Sequence, residues 1–285
     1  MKHAYLIIAH NQFELLKTLV RMLDNKNNDI YIHVDKRAVD FNEQNIKSCV
    51  ENSSVEFIKR IAVRWAGTEM MEAELMLLEK ATEKYHDYYH LLSGADLPIK
   101  SNKEIDEYFE RNSGKEYVSF DKYACENKDF YDRLMFYHFK GLGNKLVRKL
   151  DRVSCKLQKL IGINRMKNLK AEIKKGSQWF DITHDFAVYI SDQMRNNSMW
   201  KKVFKYSSYC DEMFIHSILY NSEFYKNQSS EDIRFIDWSN HGKSPETLTE
   251  KDFDKLLLSD CLYARKFSLS VDDKIVERVF DELSN

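Results

Sequence analysis

The feature that most constrains the fold is an alternation of short apolar runs with segments of helical periodicity in the first hundred residues. The apolar runs are residues 3–9, 29–35, 54–58 and 88–92, and the helical segments between them are residues 13–23 and 68–81. Runs of this length are typical of buried strands, and strands that alternate with helices over short connections form parallel sheets. The pattern predicts an α/β fold with a mostly parallel central sheet flanked by helices.

The ends of the predicted strands are where we expect a ligand site. Ligands of parallel sheets bind beyond the carboxyl ends of the strands. Those ends are residues 9–12, 33–37 and 93–100. The chain has no internal repeat or low-complexity linker, and its 285 residues include only 8 Gly and 2 Pro. We therefore expect a single domain over residues 1–285.

Residues 140–175 differ from the rest of the chain in charge. This segment contains twelve Lys and Arg against two acidic residues, Asp151 and Glu172. Apolar residues recur through its first half at helical spacing, at Leu146, Leu150, Val153, Leu157 and Leu160. The pattern predicts a basic, amphipathic helical insertion. Two interpretations stay open: the apolar stripe packs on the domain, or the stripe and the cations contact an anionic membrane surface.

Charge and cysteine content limit the partners and the compartment. The formal net charge of −1 provides no overall field toward nucleic acid or a membrane, so such contacts must be local and we expect no nucleic-acid partner. The five cysteines form no CxxC pair, which favours a reducing compartment. The first apolar run is too short for a signal sequence or a membrane span, and we expect a cytoplasmic location, with peripheral contact at the inner face of the membrane as a further interpretation.

Several common catalytic motifs are missing from the sequence. The stretch GLGNKL (141–146) lacks the third glycine of a dinucleotide turn, and neither a P-loop nor a GxSxG elbow occurs. The Asp-x-Asp pair Asp252 and Asp254 follows Thr249 in a helix-capping pattern. The strand end at residues 93–100 offers a single carboxylate, Asp96, which is a poor magnesium site. We therefore expect no metal ion and no other cofactor.

Five stretches, in order along the chain, together resemble one family of enzymes. They are HVDKRA (33–38), LLSGADLPIKSN (91–102), GSQWFDITHDFAVYI (176–190) with DEMFIHSIL (211–219), RFIDWS (234–239) and LYARKF (262–267). The chain resembles the core-2/I-branching β-1,6-N-acetylglucosaminyltransferase family, which also contains peptide O-xylosyltransferases and plant β-glucuronosyltransferases.

The resemblance implies a GT-A-like fold and an inverting, metal-independent transfer from a UDP-sugar. Residues 1–100 would form the nucleotide-binding half, and residues 176–285 the catalytic and diphosphate-binding half. Animal members of the family carry an amino-terminal membrane anchor that this sequence does not show. We therefore expect a bacterial-type cytoplasmic enzyme that transfers a sugar, GlcNAc in the first instance, to a glycan hydroxyl in surface polysaccharide synthesis.

Two interpretations of Glu212 stay open on the residues alone. Asp211 and Glu212 precede an apolar helical segment, where acids complement the helix dipole and Asp211 is suited to capping. If the helix begins near Asp211, Glu212 shares a mostly apolar face with Ile215 and His216, and could act as a base. The resemblance implies that Glu212 is the general base for the acceptor hydroxyl.

The resemblance also implies which residues bind the donor. It places the diphosphate-binding lysine on Lys266, beside Arg265, and a second cation on Lys243, where branching enzymes have Arg. Asp35, at the end of the second strand, would bind uridine, with Trp65 in the same pocket. The alternatives are that Lys243 is a solvated surface lysine and that Asp35 is an ordinary turn residue after a strand.

Four further residues are expected in the sugar and acceptor pockets: Asp96, Gln178, Trp179 and Trp238. Xylosyltransferases of the family carry Asp where this chain has Gln178, which favours a hexose or N-acetylhexosamine donor over xylose. A buried core tryptophan is the alternative for Trp179. UDP-xylose, UDP-glucuronate and other hexose donors stay open as donors, and a lipid-linked glycan stays open as the acceptor. A different class of function, a non-catalytic carbohydrate-binding relative, also stays open.

Overall fold

The computed structural model describes residues 1–121, 128–139, 143–242 and 244–283. The strands of this part of the chain are β1 His3–Ala9, β2 Asn28–Val34, β3 Ser54–Phe57, β4 Tyr88–Ser93, β5 Asp96–Pro98, β6 Glu116–Phe120, β7 Gly176–Thr183, β8 Gln228–Ser229, β9 Arg234–Ile236 and β10 Tyr263–Arg265. Its α-helices are α1 Phe13–Met22, α2 Glu43–Lys47, α3 Glu69–Ala81, α4 Asn102–Arg111, α5 Asp132–Met135, α6 Lys145–Leu160, α7 His184–Asn196, α8 Ser198–Phe204, α9 Phe214–Tyr220, α10 Phe253–Leu258 and α11 Lys274–Leu283.

A seven-stranded sheet in the order β3-β2-β1-β4-β7-β6-β8 forms the centre of the fold. Strands β3, β2, β1 and β4 are parallel, and in their register Ala9 pairs with Val34 and Ile8 with Ser93. Their carboxyl ends therefore lie at one edge. Strand β7 is antiparallel to β4 and β6, so its first residues, from Gly176, lie at that same edge.

Strand β1 supplies both hydrophobic cores because its side chains alternate between the two faces of the sheet. Tyr5 and Ile7 belong to the core formed with α1 and α11. Leu6 and Ile8 belong to the core formed with α3 and α7. The mostly parallel, helix-flanked α/β fold is therefore confirmed, and the four strands predicted in the first hundred residues each lie within one residue of their expected bounds.

A second sheet in the order β5-β10-β9 extends beyond the carboxyl ends of the main sheet. Strand β10 is antiparallel to β5, and this register sets Arg265 opposite Asp96. The sequence did not predict this sheet, because its strands are only three residues long. Its effect is to place two charged residues, distant in sequence, against each other beside the strand ends.

Helix α6 confirms the amphipathic helix predicted within residues 140–175, and it packs on the domain through its polar side. The residues that it buries are Asp151 and Gln158. Its apolar stripe is exposed, with fractions from 50% at Val153 to 82% at Leu160. The interpretation in which the stripe packs on the domain is therefore wrong. Across the described ranges, no helix combines the length and apolar content needed to cross a bilayer.

Candidate active site

A cleft of about 410 Å³ lies where the carboxyl ends of β1 and β4 meet the start of β7 and the end of β10. We call it the strand-end cleft. It is lined by Ile8–Gln12, Met70, Ser93–Ala95, Gln178, Trp179, Thr247 and Arg265–Ser268. Four of the predicted site residues, Gln178, Trp179, Arg265 and Lys266, are thus together in one cavity. This is the edge at which parallel sheets bind ligands.

Arg265 is held against the wall of the strand-end cleft. Its guanidinium lies 4.0 Å from the centroid of the Trp179 ring, and its Nε lies 3.4 Å from Asp96 Oδ1. Burial lowers the pKa of Arg265, while the Asp96 carboxylate opposes that change. An arginine remains charged in proteins, so the cleft contains a fixed positive group.

Asp96 lies beneath the cleft and does not line it. The side chain is fully buried and accepts hydrogen bonds from the Ser93 backbone N–H at 3.0 Å and the Ser93 hydroxyl at 2.6 Å. Its placement in a sugar or acceptor pocket is therefore wrong. The carboxylate instead supports Arg265, because an isolated buried guanidinium is costly without a counter-ion.

A buried polar network continues from Asp96 into the centre of the sheet. Arg234 lies 3.6 Å from Asp96 and 3.2 Å from Asp181. Asp181 Oδ1 is 2.8 Å from His90 Nδ1, and His90 Nε2 is 2.8 Å from His3 Nδ1. Burial lowers the pKa of His90 to about 4. This network anchors the counter-ion of Arg265, and sequence reasoning did not find it.

Lys266 follows Arg265 on the same wall. Its side chain is half-buried, and its Nζ lies 3.4 Å from Ser244 Oγ. Lys243, the second predicted cation, lies outside the described residues. The structure therefore brings Arg265 and Lys266 together at the strand-end cleft, and the prediction for Lys243 stays a prediction.

Asp35 lies at the end of β2, where its backbone N–H donates to Ala9 O at 2.9 Å. Its carboxylate accepts hydrogen bonds from the Arg37 backbone N–H at 2.8 Å and from Arg37 Nε at 3.0 Å. Burial alone would raise the pKa of Asp35, but the bonds and charge of Arg37 outweigh it and lower the pKa below its ordinary value. A nucleoside that uses this carboxylate must share it with Arg37.

Glu212 lies in a single 3₁₀ turn, Cys210–Glu212, and α9 begins two residues later at Phe214. The capping role predicted for Asp211 is wrong, because Met213 occupies the N-cap of α9 and makes no side-chain capping bond. The Glu212 carboxylate is about one-third exposed, and it lies 2.8 Å from Arg133 Nη1 and 3.5 Å from Lys175 Nζ.

Trp65 lies on the Glu212 side of the molecule. Its ring is 62% exposed and packs edge-to-face on Tyr209, with centroids 5.1 Å apart. Arg133, the partner of Glu212, lies 4.4 Å from the centroid of the same Tyr209 ring. Trp65 is therefore connected through Tyr209 and Arg133 to Glu212, and it does not line the strand-end cleft.

Two acidic residues, Glu74 and Asp211, connect the strand-end cleft with Glu212. Gln178 Nε2 donates to Glu74 Oε1 at 2.7 Å. Burial, with a contribution from Asp211, raises the pKa of Glu74 well above its ordinary value. Burial and the Glu212 carboxylate together raise the pKa of Asp211 to about 7. The sequence signal for Glu74 was an acid on the apolar face of α3, and it was missed.

Trp179 separates the strand-end cleft from a second pocket of about 200 Å³. The second pocket is lined by residues of β6, β7 and β9, and by Trp238, which is 51% exposed. Trp179 and Trp238 therefore line this second pocket together, while Trp179 also lines the strand-end cleft with Arg265 and Lys266. Since Trp179 reaches both cavities, the alternative of an ordinary core tryptophan does not hold.

Potential metal ligands in the described part of the chain lie elsewhere. One group there has three ligand atoms within 4.8 Å of one another, and it consists of His138, Asp151 and Cys155. None of the three lines the strand-end cleft. Asp252 forms the expected capping box with Thr249, so its carboxylate is engaged at a helix start.

The sheet topology and the strand-end cleft make the chain a mostly parallel α/β protein with a cavity at the carboxyl ends of its strands. A sequence model of the Core-2/I-Branching enzyme family matches residues 3–259, and the chain belongs to that family.

Relatives of the chain include several xylosyltransferases. It is 22% identical to xylosyltransferase 2 of the dog, Canis lupus familiaris, over 96% of this chain and 33% of that protein. It is 22% identical to xylosyltransferase 1 of the mouse, Mus musculus, over 99% of this chain and 30% of that protein. The chain thus spans about a third of the length of these relatives. Among solved structures, mouse xyloside xylosyltransferase 1 aligns with a TM-score of 0.44 and 9% identity, over 93% of this chain and 97% of that chain.

Proposed function

We propose that this protein is an inverting glycosyltransferase that moves a sugar from a UDP-sugar to a hydroxyl group of a glycan without a metal ion. The observation that carries the proposal is the strand-end cleft, in which Arg265 and Lys266 lie with Gln178 and Trp179. Its volume of about 410 Å³ is that of a small-molecule site. Two adjacent cations at such a site suit the diphosphate of a nucleotide sugar.

The chemistry follows from the charges of these residues. The acceptor oxygen forms a bond to C1 of the donor sugar as the bond between C1 and the diphosphate oxygen breaks, and the electron pair leaves with UDP. Arg265 and Lys266 stabilise the charge that develops on the diphosphate. Glu212 takes the proton of the acceptor hydroxyl, and Arg133 and Lys175 hold its carboxylate in position.

The surroundings of Gln178 bear on the donor sugar. Its amide is neutral and donates to Glu74 at 2.7 Å. The family resemblance implies an Asp at this position in the xylosyltransferases. A neutral group there favours a hexose or N-acetylhexosamine donor over xylose, and we take GlcNAc as the first candidate. The names of the relatives support UDP-xylose as the alternative donor. UDP-glucuronate and other UDP-hexoses are the remaining candidate donors.

We place the acceptor glycan near Trp179 and Trp238, because aromatic rings offer apolar faces to sugars. Asp35 would bind the uridine of the donor. The four described cysteines, Cys49, Cys155, Cys210 and Cys261, are free, which supports a reducing cytoplasm as the compartment. In that setting the acceptor is a growing surface polysaccharide carried on a lipid.

The first test identifies the donor and then removes the base. A thermal-shift screen of UDP-GlcNAc, UDP-xylose, UDP-glucuronate and UDP-glucose is followed by transfer assays with the donor that gives a shift. Glu212→Gln should keep donor binding but lose transfer by at least about 10²-fold, as expected for a general base. Glu223→Gln, a change at an exposed acid, is the matched control.

Three results would count against the proposal. Wild-type transfer by Glu212→Gln would show that Glu212 is only an acid at the start of a helix. A loss of activity in EDTA that Mn²⁺ restores would contradict the metal-free mechanism. No thermal shift with any UDP-sugar would favour a carbohydrate-binding protein without catalytic activity.

A further inference from the structure

Helix α6 buries its polar side and exposes its apolar side. Asp151 accepts a hydrogen bond from the Phe139 backbone N–H at 2.8 Å and lies 2.9 Å from His138 Nδ1. Gln158 accepts from the Tyr137 backbone N–H at 2.7 Å and donates to its carbonyl at 2.9 Å. These contacts fix the rotation of the helix about its axis, so the exposure of the opposite side follows from specific polar bonds.

The exposed side carries a continuous apolar surface, which we call the α6 stripe. At 100° per residue its members fall within an arc of about 100°. They are Leu146, Leu150, Val153, Leu157, Leu160 and Ile161, and each is between 50% and 82% exposed. Large apolar surfaces of this kind on a protein mark a contact with another molecule or a membrane.

Every exposed charged residue of α6 is a cation. These residues are Lys145, Lys149, Arg152, Lys156 and Lys159, and the acid of the helix, Asp151, is buried. Lys149 and Lys156 are each three residues from a member of the stripe, so the cations flank one side of it. Other cations of the 140–175 segment are engaged elsewhere: Arg165 donates to the carbonyls of residues 134 and 136, and Lys175 pairs with Glu212.

We infer that the α6 stripe and its flanking cations dock onto an anionic lipid bilayer, with the helix parallel to the membrane plane. An apolar stripe flanked by Lys and Arg matches an interfacial helix, since the stripe enters the acyl region while the cations meet lipid phosphates. A second copy of the chain is a poorer occupant. An antiparallel isologous contact through the stripe would bring the two sets of cations close together.

The position of the stripe bears on the proposed function. The Arg148 guanidinium lies 5.8 Å from the centroid of the exposed Trp65 ring. Trp65 packs on Tyr209, and Tyr209 packs on Arg133, which contacts Glu212. A bilayer at α6 would therefore hold Glu212 near lipid headgroups, where a lipid-linked glycan is presented. This last step rests on the proposed function, whereas the docking itself does not.

The test is vesicle sedimentation with the full chain. Vesicles of phosphatidylcholine alone are compared with vesicles that also contain phosphatidylglycerol, at low and high salt. The wild type should sediment with the anionic vesicles at low salt and be released by high salt, because salt screens surface charge. The triple variant Leu150→Gln/Val153→Gln/Leu157→Gln should lose at least about tenfold in the partition coefficient.

The matched control changes three exposed aliphatic residues elsewhere, in the variant Val39→Gln/Leu258→Gln/Val271→Gln. It should sediment like the wild type. Wild-type protein that stays in the supernatant at low salt would overturn the inference, as would a stripe variant that sediments normally. A wild-type dimer that the stripe variant converts to monomers, without vesicle binding, would assign the stripe to a second copy. Thermal shifts with UDP-sugars, measured on the same samples, report donor binding separately from vesicle binding. A failure of the docking inference is thereby distinguished from a failure of the proposed function.

Discussion

The strand-end cleft and helix α6 depart from the usual distribution of polar and apolar side chains in opposite directions. Beneath the cleft, Asp96 and Arg234 are charged and buried, each next to an opposite charge. On α6, Leu150 and Leu157 are apolar and more than half exposed, while Asp151 is buried. The fold therefore holds a cation, Arg265, at the proposed nucleotide-sugar site, and it leaves an apolar surface exposed at the proposed contact with the bilayer.

Removal of the counter-ion beneath the cleft should have the largest effect, and this effect is on stability. Asp96→Asn leaves Arg265 without its counter-ion and should lower the free energy of unfolding by about 3 kcal/mol. Asp254→Asn, at an exposed acid, and the α6 stripe variant Leu150→Gln/Val153→Gln/Leu157→Gln should each stay within about 0.5 kcal/mol of the wild type. Urea unfolding measures all three. An equal loss for the stripe variant would mean that the stripe packs on the domain in solution.

A smaller effect concerns the buried acid beside the cleft. The pKa of Glu74 is raised in the folded protein, so the folded state keeps a proton that the unfolded state releases. The contribution of Glu74 to stability is therefore present below its ordinary pKa of about 4.5. It is lost as the pH rises through the pKa that Glu74 has in the folded protein. Glu74→Gln should flatten the decline of melting temperature above pH 4.5. An unchanged pH profile would show that Glu74 is ionised in the folded state.

The parts of the fold that were predicted from the sequence rest on local patterns. Four of the five strands in the first hundred residues, and helix α3, were found because apolar periodicity is a property of neighbouring residues. The resemblance assigned Arg265 and Lys266 to donor binding and Gln178 and Trp179 to a sugar or acceptor pocket, and the strand-end cleft contains all four.

The parts that were missed depend on contacts between distant residues. Arg133 and Lys175 approach Glu212 from 79 and 37 positions away, and no local pattern signals such a pair. Asp96 was assigned to a pocket because it follows a strand, but the register of β5 with β10 turns it toward Arg265. The orientation of α6 was left open because periodicity gives the apolar side of a helix without the surface that the helix packs against.

The most direct test of the account is calorimetric titration of UDP and of the best UDP-sugar in the presence of EDTA. The wild type should bind both, because Arg265 and Lys266 meet the diphosphate without a metal ion. Arg265→Met should weaken binding by at least about tenfold, the scale of one charged hydrogen-bonding contact. Arg111→Met, at an exposed arginine of α4, should bind as the wild type does. Equal affinity of Arg265→Met and the wild type, or no binding by the wild type, would contradict the assignment of the strand-end cleft to a nucleotide sugar.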